Sequence, residues 1–266
     1  PAGLEAARAA GERGYNVTLA EADEELGGRV AREARLPGLS AWGRVRDYRV
    51  YQIQQMANVE VFPASRLTAE QVLEFGADHI AIATGSHWRK DGYGRIHQFP
   101  IPGLSDAQVL TPDDVVAGVV PAGPVIVYDD DHYYMGGIVA EKLRGDGLDV
   151  TLVTSDPVVS SWTSINLEQH RIQAHVLGLG IEVLANHKLH RVAGQAVELA
   201  CVFSERVTTL EAASIVMVTS RLPDAALFDE LDADQARLKE AGSPSLRRIG
   251  DCYGPATIAA AVYEGH

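Results

Sequence analysis

Gly3 and Glu21 are the first residues in this chain whose types and spacing could do chemistry. Gly3 opens an Ala-rich stretch, Leu4 to Arg13, that stops at Gly14 and is followed by Asn16-Val17-Thr18-Leu19-Ala20-Glu21. That order predicts a helix, a glycine stop, a strand and an acid. Backbone N–H groups at such a helix N-terminus can hold phosphate, and a carboxylate about 20 residues onward accepts ribose hydroxyls. Gly3 stands where the third glycine of G-x-G-x-x-G belongs, and Glu21 where the acid belongs. The first two glycines and their strand would lie upstream. The sequence is therefore expected to be a fragment whose parallel sheet needs a strand from elsewhere. An ordinary amphipathic helix packed on a strand is the competing reading.

Further candidates lie at the ends of other predicted strands. The buried run His79-Ile80-Ala81-Ile82-Ala83 ends in Thr84-Gly85, and a doubly wound sheet places ligands at such ends. Glu24-Glu25-Leu26-Gly27-Gly28-Arg29 pairs glycines after an acidic turn, where backbone can approach a ligand or simply turn. Arg247-Arg248-Ile249-Gly250-Asp251 reads as a strand ending ahead of a helix that starts near Ala256. Asp251 could bind a sugar or ribityl hydroxyl, or serve only as an N-cap.

From Pro124 the opening pattern returns as strand Val125–Tyr128, a loop, a helix from Gly136 to Leu143, Gly147, and strand Asp149–Val153. Here the phosphate loop reads Asp129-Asp130-Asp131-His132-Tyr133-Tyr134. Carboxylates repel phosphate and tyrosines fill its space, so this copy is expected to be disabled for NAD(P)H. The aspartates are expected to cap the following helix. His187 with His190, and His170 with His175, lack the i, i+4 spacing and companion ligands of a metal site, so no metal is expected.

Between these motifs the chain predicts alternating helices and strands. Additional strands are expected at Val59–Phe62, Ile181–Leu184, Val197–Phe203 and Ala213–Val218, and helices at Leu39–Met56, Thr68–Phe75 and around Leu227–Ala241. Residues 86–122 are rich in Pro and Gly and read as a crossing between domains. At 46% hydrophobic and 6% aromatic, the chain is expected to be α/β. Two Rossmann-like domains of the FAD/NAD(P)-binding type follow, the second inserted in the first: 1–112, 113–222, and 223–266 returning to the first. A net charge of −13 disfavours nucleic acid and anionic membrane. The two cysteines, Cys201 and Cys252, are too few for a disulfide scaffold, and no apolar run reaches the roughly 18 residues that span a bilayer. A cytoplasmic setting is expected.

Pro1-Ala-Gly-Leu-Glu-Ala-Ala-Arg8, Leu26-Gly-Gly-Arg29, Ala83-Thr-Gly85 and Ile249-Gly-Asp251 resemble the flavoproteins with two dinucleotide-binding domains. With Leu36-Pro-Gly-Leu39, Trp42, Arg46-Asp-Tyr-Arg49, the stretch Val127–Gly137 and Ser160-Ser-Trp-Thr163, the whole chain is similar to the C-terminal half of the trimethylamine, dimethylamine and histamine dehydrogenases. The resemblance implies a homodimeric iron–sulfur flavoenzyme whose N-terminal TIM barrel carries FMN and a [4Fe-4S] cluster. That enzyme would oxidise a small amine to an imine and pass electrons to an electron-transferring flavoprotein. It implies ADP in the first domain, held at Gly3, Glu21, Ala22, Gly28, Arg29, Leu67, Ala83, Thr84, Gly85 and Asp251, and a vestigial second domain. No catalytic residue is expected in this segment, which alone should be inactive. A 2,4-dienoyl-CoA reductase-like enzyme using NADPH and a non-catalytic nucleotide-binding or docking module are the alternatives.

Overall fold

The computed structural model describes residues 1–242 and 245–266. It divides into two compact units: Pro1–Arg35, Leu39–His87 and Leu222–His266 form unit 1, and Leu36–Gly38 with Trp88–Arg221 form unit 2.

Unit 1 opens with α1 (Ala2–Glu12), β1 (Val17–Ala20), α2 (Arg29–Glu33) and α3 (Gly43–Gln54). It continues through β2 (Val59–Phe62), α4 (Ala69–Glu74) and β3 (His79–Ile82), and leaves along β4 (Ser86–Trp88). Unit 2 follows with β5 (Gln108–Leu110), α5 (Pro112–Val116), β6 (Val125–Asp129), α6 (Met135–Gly145), β7 (Val150–Thr154) and α7 (Gln169–Gly178). Its second half is nearly all strand: β8 (Glu182–Leu184), β9 (His187–Ala193), β10 (Ala196–Cys201), β11 (Val207–Glu211) and β12 (Ser214–Val218). The chain returns through β13 (Arg221–Pro223), α8 (Ala226–Asp232), α9 (Gln235–Glu240), β14 (Ser245–Arg248) and α10 (Ile258–Gly265).

Local chemistry explains most of these elements. In α1 the alanines impose no side-chain entropy cost, and Leu4, Ala7 and Ala9 are buried, with Leu4 and Ala7 packed against Ile53 of α3 and Val17 and Leu19 of β1. Thr68 and Gln71 form a reciprocal capping box that starts α4, and Thr111 with Asp114 does the same for α5. Thr257 caps α10 through the Ala260 N–H.

In unit 1, β1 pairs in parallel with β2, and β14 with β3. Each pair lines its own core: Leu4, Ala7 and Ile53 beside the first, and Ala69, Ile80, Ile82, Leu231, Leu238 and Cys252 beside the second. In unit 2 a five-stranded parallel sheet runs β5-β12-β6-β7-β8, and an antiparallel sheet runs β11-β10-β9. Ile126, Tyr128, Val153, Ile215 and Met217 from the first sheet share a core with Leu189, Val192, Val197 and Leu199 from the second. By alternation Val125 and Val127 face the other way, and α6 packs against β6 and β7.

This arrangement corrects the expectation of two Rossmann-like domains. Unit 1 has no single doubly wound sheet among its described residues, only two separate parallel pairs. In unit 2 one face of the parallel sheet meets a β layer, where a doubly wound fold would carry helices on both faces. The physical reason is that a glycine, helix, strand and acid in sequence encode only a helix lying close on one strand. The partners of that strand are set by contacts far along the chain, which a local motif does not specify.

Candidate nucleotide site of unit 1 and acidic loop of unit 2

In unit 1 the geometry of interest gathers at the first turn of α1. The N-terminus of this helix carries free N–H donors and the positive end of its dipole, a combination suited to an anion. Gly3 lies against the end of β3, where a Cβ would sit 3.2 Å from the Ala83 Cβ. Gly250, at φ +62°, packs so closely on the same turn that a Cβ would come within 2.5 Å of the Ala2 Cβ. A side chain at either position would push β3 or the 250–252 turn away from the helix.

Polar contacts then tie the rim together. The Arg29 guanidinium, at the start of α2, donates to the Ser86 carbonyl at 2.6 Å and to Glu33 at 3.2 Å. The Ser86 hydroxyl donates to Asp251 Oδ2 at 3.0 Å, while Asp251 Oδ1 accepts the Ala256 N–H at 3.2 Å. The Thr84 hydroxyl lies 2.5 Å from the Asp224 carbonyl and 3.2 Å from the buried Cys252 Sγ. Gly85 has φ +85° and its carbonyl accepts the Asp224 N–H. Around Gly28 and Gly85 an added Cβ would meet nothing within 4 Å, which leaves open space beside the rim. Glu21, at the end of β1, accepts the Asp23 N–H at 3.2 Å.

Of the residues expected to hold a nucleotide, Gly3, Glu21, Arg29, Ala83, Thr84, Gly85 and Asp251 thus lie around one helix end, with Gly28 next to Arg29. Ala22 is exposed on the loop after β1, and Leu67 is half-buried just before the Thr68 cap. Ser86 escaped the sequence reading, although it bridges Arg29 and Asp251, and Gly250 was read there only as part of the strand ending Ile249-Gly250-Asp251. The only signal for Ser86 was its position directly after the strand end Thr84-Gly85.

In unit 2 the aspartate run does something other than cap α6. That helix begins at Met135 with no side-chain cap. Asp129 is still inside β6, and its Oδ1 accepts the N–H groups of Asp131 at 3.2 Å and His132 at 2.9 Å, holding the loop. Asp129, Asp130 and His132 are buried. The His132 ring meets Thr154 and Ser155 hydroxyls at 3.2 and 3.3 Å and Asp130 at 3.4 Å. Burial would lower the His132 pKa, but the hydrogen bond to Asp130 and the charges of Asp129 and Asp156 raise it overall. No group of three or more His, Cys, Asp or Glu among the described residues could hold a metal ion. No helix among them is long and apolar enough to cross a membrane.

Residues 110–214 match the family described as the OYE-like second alpha/beta domain. Over its full length the chain is 34% identical to dimethylamine dehydrogenase of Hyphomicrobium sp. (strain x), covering 40% of that protein. It also superposes throughout on histamine dehydrogenase from Rhizobium sp. 4-9, with a TM-score of 0.98 and 50% identity, over 41% of that chain. The chain is thus similar, over its whole length, to part of each of these two amine dehydrogenases. The 6-hydroxypseudooxynicotine amine oxidase of Pseudomonas geniculata N1 is similar as well, at 43% identity, a TM-score of 0.95 and 39% of its chain. The chain thus spans about two fifths of the length of each of these relatives. The family match completes the correction of the fold: residues 110–214 are assigned to an OYE-like second alpha/beta domain, not to an NAD(P)-binding Rossmann domain.

Proposed function

We propose that these residues form the C-terminal, nucleotide-holding portion of a flavoprotein amine dehydrogenase. The whole enzyme would oxidise a small amine to an imine and deliver the electrons to an electron-transferring flavoprotein, acting as a cytoplasmic homodimer. The observation that carries this reading is the full-length likeness to histamine dehydrogenase at 50% identity.

ADP is the nucleotide that fits unit 1 best. The first turn of α1 offers N–H donors for a diphosphate, and Glu21 is the acid for ribose hydroxyls. Asp251, the residue that a ribityl chain would require, has both carboxylate oxygens engaged inside the protein, by Ser86 and by Ala256. This favours a nucleotide that ends at the diphosphate. The site's residues bind and orient, and none is placed to move a proton on a substrate. Redox chemistry would come from the FMN and [4Fe-4S] cluster implied by the resemblance. Cys201 and Cys252 fall short of the four thiolates that a cluster takes, so its ligands are assigned outside these residues. Unit 2, with Asp129 where a phosphate would lie, holds no dinucleotide in this reading.

The test is to denature the purified protein and identify what is released by chromatography and absorbance. ADP without flavin is the expected result. Release of FAD would make unit 1 a redox-active flavin site and overturn the assignment. Reduction of a dye acceptor by dimethylamine or histamine, absent for these residues alone and present for the longer polypeptide, separates an amine dehydrogenase from a purely nucleotide-binding module.

A further inference from the structure

Asp129 is the last residue of β6, 0% exposed, and has no cation in hydrogen-bond contact. Its Oδ1 holds the loop through the Asp131 and His132 N–H groups, while Oδ2 is buried without a partner. Above it, α6 approaches so closely that a Cβ on Gly136 would lie 2.4 Å from Oδ2, leaving no room for water on that side. The loop is itself under tension: His132 has φ +62°, a left-handed conformation that costs a non-glycine residue about 1 kcal/mol or more. The His132 carbonyl in turn accepts the Trp162 N–H at 3.0 Å.

We infer that Asp129 works as a proton latch: while its carboxyl is neutral, the 130–134 loop and Trp162 are held against the sheet edge, and when it ionises they are let go. A neutral carboxyl can stay buried with two hydrogen bonds, whereas a carboxylate needs water or a cation. The charges facing it come from every neighbouring element. The loop contributes Asp130, Asp131 and His132, and Asp156, two residues past β7, lies 3.8 Å from the His132 ring. From the 93–97 segment come His97 and Arg95; Arg95 donates to the Asp131 carbonyl at 3.3 Å and stacks 4.2 Å above the Trp162 ring. Arg221, after β12, acts on Asp131. The first turn of α6 brings no charged side chain. Burial raises the Asp129 pKa to about 7, with His132 opposing and Asp131 and Asp130 reinforcing the rise. The latch is therefore set to move around neutral pH.

The protein, labelled with 5-fluorotryptophan, should give ¹⁹F resonances from Trp42, Trp88 and Trp162. Trp162→Phe assigns the last of these. Between pH 5.5 and 8.5 the Trp162 resonance should shift with a midpoint near 7, and Asp129→Asn should remove at least four fifths of that shift. A wild-type Trp162 resonance that ignores pH overturns the proposal. So does a transition that survives Asp129→Asn, including one abolished only by His132→Gln. Should Asp129→Asn fail to fold, ¹³C labelling of wild-type aspartate carboxyls decides: one Cγ must titrate together with Trp162, and its absence refutes the latch.

Discussion

Replacing Glu5 by Gln should unlock unit 1. Glu5 is 3% exposed on α1 and receives four donors: Arg8 Nε and Nη2 at 3.2 and 2.5 Å, Arg49 Nε at 2.7 Å and His266 Nδ1 at 3.2 Å. Burial alone would raise its pKa, but the Arg8 and His266 hydrogen bonds and the Arg49 charge bring it down to about 2. Against a value of 4.5 in the unfolded chain, that depression corresponds to about 3 kcal/mol at neutral pH. The sign follows from the depressed folded pKa. The contribution is complete above pH 4.5 and disappears as pH falls through 4.5 toward 2. Glutamine keeps the shape but leaves Arg49 without the Glu5 carboxylate and Arg8 with only Glu12, 2.6 Å away, in a nearly dry site, a loss of about 3 kcal/mol. Urea titration at pH 7 should register that loss, and the acid limb of a thermal-stability profile between pH 4.5 and 2.5 should flatten in the variant. A variant within 1 kcal/mol of wild type, or one with an unchanged acid limb, would refute the reasoning.

Gly250→Ala combines a positive φ with a Cβ 2.5 Å from that of Ala2. It should cost about 2–4 kcal/mol and, on the proposed function, weaken ADP binding measured by calorimetric titration, because it displaces the first turn of α1. Gly103→Ala in unit 2 would drive a Cβ to 1.8 Å from the Val192 carbonyl oxygen, whose residue is bonded back to Pro102 at 2.9 Å. Chemical denaturation should show a loss of about 3 kcal/mol or more, with ADP release from unit 1 unchanged.

Sequence made local structure legible where the signal was itself local. The Thr68 cap, the Ala-rich α1 and the strand Val59–Phe62 needed nothing beyond neighbouring residues. By contrast, β9 went unread because His187, Lys188, His190 and Arg191 make it look like a polar loop. It is an edge strand with a bulge opposite Glu198 and Leu199 that buries only Leu189 and Val192. Pairing was the least legible feature. β12 lies between β5 and β6, partners from distant parts of the chain, and no property of its five residues names them. Around the candidate site the glycines and acids were visible as types, since only they tolerate such approaches or bind hydroxyls. Ser86 was not, because its role depends on Arg29 and Asp251 arriving from two other segments.

The aspartate run shows how one displaced residue boundary changes the chemistry. Read as a loop, Asp129 is a helix cap, exposed and ordinarily acidic. Placed one residue inside β6, the same carboxyl is enclosed between sheet and α6 and titrates near 7. Glu5 is also buried, though less deeply, yet its pKa moves the other way, to about 2. Burial opposes ionisation in both, so burial cannot explain the difference. What separates them is the counter-charge: two guanidinium groups contact Glu5, and only backbone N–H groups contact Asp129. In unit 1 the buried charge of Glu5 thus fixes α1 through Arg8 and Arg49. Unit 2 keeps an uncompensated acid beneath a strained loop, an arrangement that favours movement over rigidity.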